Sequence, residues 1–296
     1  MIFSWDLLIN ALISGILLGG IYCALAVGVT VAFGMLDINN IAHPAFIITG
    51  SYLAWWFNSN YPGLYPLTDP LMISILAAPV AYLVGRLLYR AYYYSFESRE
   101  GESLQGLAFF FGLLFIVEVS LLLAFGVDYR FVEAPYIGKT LNFGFVSIPL
   151  RLLVPMAVGL IVTGGIMLFM NRTFIGRAIL AVSQDPGALR LVGGSPVKVK
   201  EVAFGIAMAT AIIAGALLII IQPIEPSIGR EYIGRVFAIC VLGGMTSLTG
   251  TVVAAMLMGI VESLTTTFWG PSWAPLIAFG ILLITLGVRP SGIFGR

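Results

Sequence analysis

The chain has 296 residues, 59% of them hydrophobic and only 10% charged, with a formal net charge of +1. Soluble domains carry about 25% charged residues, so this much apolar surface exceeds what a water-facing fold can absorb and points to lipid. The near-zero net charge supplies no concentrated basic face for phosphate, and no nucleic acid is expected as a partner.

Apolar runs predict helices near 7–34, 40–57, 70–89, 103–126, 148–170 and 201–221, and three more near 232–246, 250–267 and 272–289. Most approach the roughly 20 residues that carry a helix across about 30 Å of hydrocarbon. The expected fold class is therefore all-α. The whole of 1–296 reads as a single polytopic transmembrane bundle of about 8–10 crossings with discontinuous helices. The opening "MIFSWDLLIN" lacks the basic start of a cleavable signal peptide, so the first apolar run is expected to be a retained helix.

Basic residues gather in three places: Arg86, Arg90 and Arg99; Arg172, Arg177, Arg190, Lys198 and Lys200; Arg289 and Arg296. The positive-inside rule makes those regions cytoplasmic. Segments 58–69, 127–147 and 222–231 then face outward, and nine crossings with the N-terminus out and the C-terminus in fit the parity. The pieces flanking "GGMTSLTG" could equally be one broken helix or a re-entrant pair.

Two interruptions stand out. "FGMLDINNIAHPAFIITGSY" (33–52) places Asp37, Asn39, Asn40, His43 and Pro44 inside an apolar run, and "VLGGMTSLTG" (241–250) pairs glycines with Thr246. Non-helical backbone at membrane depth is tolerated only where protein or a water-filled cavity satisfies it, and paired breaks point to a permeation path. The alternative is that both are short cytoplasmic turns.

Other motifs carry less. "EAPYIGKT" (133–140) lies one residue from a phosphate-binding loop, but Glu133 replaces the first glycine and no strand precedes it, so no ATPase is expected in this chain. His43 has no Cys or His cluster around it, and Cys23 and Cys240 lie in apolar runs, so no metal, catalytic site or cofactor is expected. Glu118 and Glu262 sit inside apolar helices, where a charge costs roughly 2.5–3.5 kcal/mol. Each must pair, hydrogen-bond or relay protons. In the loop 171–200, Asp185 can cap a short helix at 186–192 begun by Pro186 and ended by Gly193 and Gly194. That helix would carry Leu189 and Arg190, and reads either as a docking element or as a solvated basic linker.

The stretch "GGIYCALAVGVTVAFGMLDINNIAHPAFIITGSY" (19–52) resembles the opening signature of the permease subunits of branched-chain amino acid ABC importers, with Tyr22, Asn40, Ala42, His43, Gly50 and Tyr52 in matching places. "TFIGRAILAVSQDPGALRLVG" (173–193), "VLGGMTSLTG" and "RPSGIFGR" (289–296) are similar to later motifs of that family, in the same order. Pro44, Leu180 and Arg235 stand where the family more often has glycine, arginine and lysine.

The resemblance implies a membrane subunit in the bacterial inner membrane that works with two cytoplasmic ATP-binding subunits, a second homologous permease and a periplasmic solute-binding protein. It implies that Gly176, Arg177, Asp185, Leu189, Arg190 and Gly193 contact an ATPase. Asn40 and His43 are expected to hold the first break by hydrogen bonds to freed backbone. Asn40, His43, Gly50, Gly243, Gly244 and Thr246 are expected beside the path, whose uncharged character suits a small amphipathic solute. Relatives carry leucine, isoleucine and valine, and others urea, amides or aromatic acids. A proton-coupled transporter relaying through Glu118, Glu262 and His43, or a passive channel, is the rival class.

Overall fold

The computed structural model describes residues 5–36, 38, 40–97, 103–143, 146–289 and 291–295. Asp37, Asn39, Arg99 and Arg296, named above, lie outside them. Eleven α-helices and one hairpin are present among the described residues: α1 (Trp5–Val29), α2 (His43–Asn60), α3 (Pro70–Ser95), α4 (Ser103–Phe125), β1 (Thr140–Phe143), β2 (Val146–Pro149), α5 (Leu150–Arg172), α6 (Phe174–Gln184), α7 (Pro186–Leu191), α8 (Pro196–Ile221), α9 (Gly229–Gly243), α10 (Leu248–Phe268) and α11 (Ala274–Val288).

Seven of these helices are long and apolar enough to cross a membrane; α2 and α9 are the other two expected crossings. The polytopic all-α class is what the structure has. Boundaries moved by a few residues, and α6 was not predicted. Its amphipathic sequence "FIGRAILAVSQ" follows directly on α5, and a Thr173 cap to the Gly176 amide (2.9 Å) separates the two.

Burial divides the bundle into two classes. The spans built on α1 and α8 are 83% buried, whereas those of α3, α4 and α5 are 22% buried and that of α11 is 17% buried. The two central helices pack through small residues, because lipid offers no hydrophobic drive and close backbone approach must supply the dispersion contact. A Cβ on Gly15 of α1 would lie 2.6 Å from the Ile260 Cα of α10, and one on Gly50 of α2 would lie 2.7 Å from the Ile212 Cα of α8.

Polar contacts mark the two ends. At one, the buried carboxylate of Glu201 takes Arg86 Nη2 at 2.7 Å and Arg90 Nε at 2.9 Å, and Lys200 reaches Glu97 at 2.7 Å. At the other, Asn10 accepts from the Ser147 amide (3.2 Å), Asn58 and Glu133 exchange side-chain-to-backbone bonds (3.1 Å each), and Arg130 bridges Ile224. The segment 133–140 runs through turns into β1 of an antiparallel hairpin, and no strand-to-helix turn forms there.

Candidate functional site

The first break lies inside the bundle. The last turn of α1 opens into a π-helical segment, Thr30–Met35, a form that occurs mostly as local bulges at functional sites. The chain then turns back, with Leu36, Ile38, Asn40 and Ala42 all buried, and α2 starts at His43 beside Gly28 and Thr210 near the middle of α8. Leu36, Ile38, Asn40 and Ala42 are therefore not laid out on a surface turn.

This segment is held by its own backbone. Asn40 N donates to Ile38 O (2.7 Å), His43 N to Asn40 O (3.3 Å), and Ala45 N to Ala42 O (3.0 Å). The expectation that the Asn40 and His43 side chains brace the break is corrected here. Neither Asn40 Oδ1 nor Nδ2, nor either His43 ring nitrogen, has a hydrogen-bond partner among the described residues. Both side chains are at least nine-tenths buried, and an unmet buried polar group costs about 1–3 kcal/mol. Unsatisfied groups of this kind in a native fold call for a role.

The second break is different. Residues 243–250 carry a tight turn between two separate helices, α9 and α10, so a single broken helix is not what forms here. Met245 and Thr246 are exposed, and Gly244 takes φ +94°, a left-handed conformation that favours glycine. The C-terminal segment packs on this turn through Ile293 N to Leu242 O (2.8 Å) and Phe294 N to Gly243 O (3.3 Å). The two breaks nonetheless touch: a Cβ on Gly34, in the π-turn, would overlap the Met245 carbonyl. Gly50 does not join them; it is a helix-packing contact against α8.

The loop 171–200 is structured. Asp185 Oδ1 accepts from the Gly187 and Ala188 amides (2.7 and 3.0 Å), which fixes the start of α7. Gly193 at φ +81° ends it, with Gly194 N bonded to Leu189 O at 2.9 Å. At its tip Leu191 is 90% exposed and Val192 81% exposed, while Arg177 and Arg190 are exposed cations without an ion pair among the described residues. A cavity of about 250 Å³ lies alongside, lined by Ala181, Gln184, Asp185, Ala188, Leu189 and Val192. The loop is joined to the bundle at Gly176, where a Cβ would come within 2.5 Å of the Met170 Cα, and α6 also packs against α8 and the π-turn.

Both intramembrane carboxylates are paired. Glu118 takes two hydrogen bonds from Arg230, one of them Nε to Oε2 at 2.8 Å, and Arg230 also lies over the Phe115 ring. Glu262 accepts from the Tyr22 hydroxyl (2.7 Å) and pairs with Arg235 Nη2 (2.9 Å), whose guanidinium lies over Tyr232 and Tyr22. No direct hydrogen-bond chain among the described residues links Glu118, Glu262 and His43. Sequence reasoning missed these pairs: Arg230 was assigned no role, and Arg235 was noted only as a departure from lysine. It also missed Glu201, although Arg86 and Arg90 stand at i,i+4 on α3, the spacing that lets two cations share one carboxylate.

Two cavities open at the end opposite the loop 171–200. The larger, about 830 Å³, is lined by residues including Trp55, Asn58, Tyr65, Tyr129, Arg130 and Glu133. A second, about 550 Å³, is lined by Tyr129, Gln222, Pro223, Ile228, Glu231 and Arg235. In the outer loop, burial and the adjacent Asp69 carboxylate, which accepts from the Tyr136 hydroxyl at 3.2 Å, hold that phenol well above its ordinary value.

Seven helices long and apolar enough to cross a membrane, a buried break and a short capped helix make this, among the described residues, a polytopic membrane protein. Residues 11–286 match the family described as "Branched-chain amino acid transport system / permease component", and the chain belongs to that family. It is 28% identical to the high-affinity branched-chain amino acid transport system permease protein BraD of Pseudomonas aeruginosa, over 97% of this chain and 96% of that one. It is 25% identical to LivH of Escherichia coli over the same shares, and 32% identical to LivM of Salmonella typhimurium over 40% of this chain and 28% of that one. No solved structure matches the chain at a significant level.

Proposed function

We propose that this chain is one of two membrane subunits of an ATP-driven importer for branched-chain or other hydrophobic amino acids in the bacterial inner membrane. The solute class is that named for BraD and LivH, which match this chain nearly end to end. The whole of 1–296 acts as one permease domain, and 171–200 is its coupling loop. ATP binding and hydrolysis belong to two cytoplasmic partners, a periplasmic binding protein delivers the solute, and a LivM-like chain is the second permease.

The observation that carries this reading is the tip of α7. A rigid, capped helix that displays Leu191 and Val192 to water has the form of a docking knob, since two adjacent large apolar residues left 90% and 81% exposed need a covering surface. A push on α7 passes through α6 and Gly176 to α5, and through α6 to the π-turn, where α1 opens and the two breaks meet. In this mechanism Asn40 and His43 lie at a joint that exchanges partners between outward- and inward-open states, which gives their unmet polar atoms a use.

The test is gentle purification of the tagged chain from its native membrane, with mass spectrometry of what accompanies it. A stoichiometric ATPase together with a second polytopic chain is the expected result. A chain that purifies alone and carries solute in liposomes without ATP overturns the reading.

A further inference from the structure

The 550 Å³ cavity carries two opposite charges on its wall. Glu231 and Arg235 both line it, one helical turn apart on α9. At i,i+4 their Cβ atoms lie about 5–6 Å apart, yet no ion pair forms between them, because Arg235 is turned to Glu262. Glu231 is exposed and has no ion-pair partner among the described residues. Arg235 is nine-tenths buried, and its Nε has no acceptor among the described residues. A guanidinium has five donors, and one ion pair with a carboxylate leaves several of them open. The rest of the wall is Tyr129, Pro223 and Ile228, which is apolar or amphipathic, with Gln222 as a neutral hydrogen-bonding group.

We infer that this cavity is an entry subsite for the zwitterionic head of an α-amino acid, with Arg235 taking the carboxylate, Glu231 the ammonium, and Tyr129, Pro223 and Ile228 the apolar side chain. Two opposite charges one helical turn apart match the two charges of a zwitterion, and neither a neutral amide nor a simple carboxylic acid satisfies both. Arg235 lies six residues into α9, so the subsite sits about 9 Å inward from the start of that helix, within reach of a solute released at the outer face. Arrival of a carboxylate competes with Glu262 for the guanidinium. Glu262 lies on α10 and shares the Tyr22 hydroxyl of α1, so solute entry is felt by the helix that carries the inner break.

The proposal rests on the amino-acid importer reading, and the experiment separates the two. The complete importer, co-purified with its own partner subunits and binding protein, is reconstituted in proteoliposomes. Uptake of L-leucine, leucine amide and 4-methylpentanoate is measured together with ATP hydrolysis, for the wild type, Glu231→Gln and Glu231→Asp. Glu231 is exposed, so its variants leave the fold intact. With saturating loaded binding protein, Glu231→Gln is expected to lower leucine uptake per ATP hydrolysed by tenfold or more, with Glu231→Asp restoring most of it. The wild type carries neither analogue at a comparable rate, whereas Glu231→Gln narrows the preference for leucine over 4-methylpentanoate. Unchanged uptake per ATP and unchanged analogue discrimination in Glu231→Gln overturn the subsite while leaving the importer standing. Absence of ATP-dependent uptake of any amino acid by the wild type instead removes the importer reading, and the subsite with it.

Discussion

Arg235 of α9 pairs with Glu262 of α10 at 2.9 Å, with both side chains about nine-tenths shielded from solvent. Desolvating two charges nearly cancels their attraction, so the pair itself adds little stability, but losing one partner strands the other. Glu262→Ala is therefore expected to destabilise the folded chain by about 3–5 kcal/mol. The double replacement Arg235→Met with Glu262→Leu should recover most of that loss. Unfolding in mild detergent, followed by tryptophan fluorescence, gives the cycle. A double variant as unstable as the single one would assign the cost to packing.

The exposed tip of α7 gives a cleaner test, because nothing in the bundle rests on it. Leu191→Asp with Val192→Asp should leave the yield and thermal midpoint of the isolated chain within experimental scatter, yet abolish co-purification of the ATPase. Retention of the ATPase in this variant would place the docking surface elsewhere. Gly176→Leu acts one step deeper: with no room against Met170, it should keep the ATPase bound but break the link between hydrolysis and uptake.

Asn40 carries an amide that has no hydrogen-bond partner among the described residues. Replacing a buried, unsatisfied polar group by an apolar one of similar size is neutral or stabilising. Asn40→Leu should therefore raise stability by about 0–2 kcal/mol while cutting transport at least tenfold. The same pattern is expected of His43→Leu. A loss of stability together with transport would show that these side chains are structural, contrary to the joint proposed here.

At the end that carries the loop 171–200, Glu201 holds Arg86 and Arg90 of α3 against α8. The arginines are partly exposed, so screening limits the effect: Glu201→Gln should cost about 1–2 kcal/mol at low salt. The difference from wild type should shrink between low ionic strength and about 1 M salt, where the Debye length falls to roughly 3 Å. A salt-independent loss would identify packing, not charge, as its source.

The helices were legible because lipid imposes a length and a composition on each crossing, and the Asp185 cap and Gly193 stop of α7 were legible because they are local. The location of the first break was also readable from polar residues in an apolar run. What fills it was not: hydrogen bonding to Asn40 depends on which helices arrive beside it, and among the described residues the bonds across the gap are backbone ones. Two of the bonds to Glu118 and Glu262 come from far along the chain, 112 residues away at Arg230 and 240 residues away at Tyr22. No periodicity encodes such pairs. The difference between the breaks, one buried and one a surface turn, also follows from tertiary packing, since both present glycine or proline among short polar side chains.

The deep burial of α1 bears on how the protein is made. This helix is synthesised before the residues it packs against, which belong largely to α10 and α5, and the Tyr22 hydroxyl meets its carboxylate only when Glu262 has been added. At roughly 5–20 residues per second, the intervening 240 residues take about 12–48 s, an interval in which the future centre of the bundle faces lipid or an insertion factor. The nascent chain thus passes through a long unassembled stage in which its most critical surface is its most exposed one. Cellular quality control has its longest window on this protein before α10 arrives.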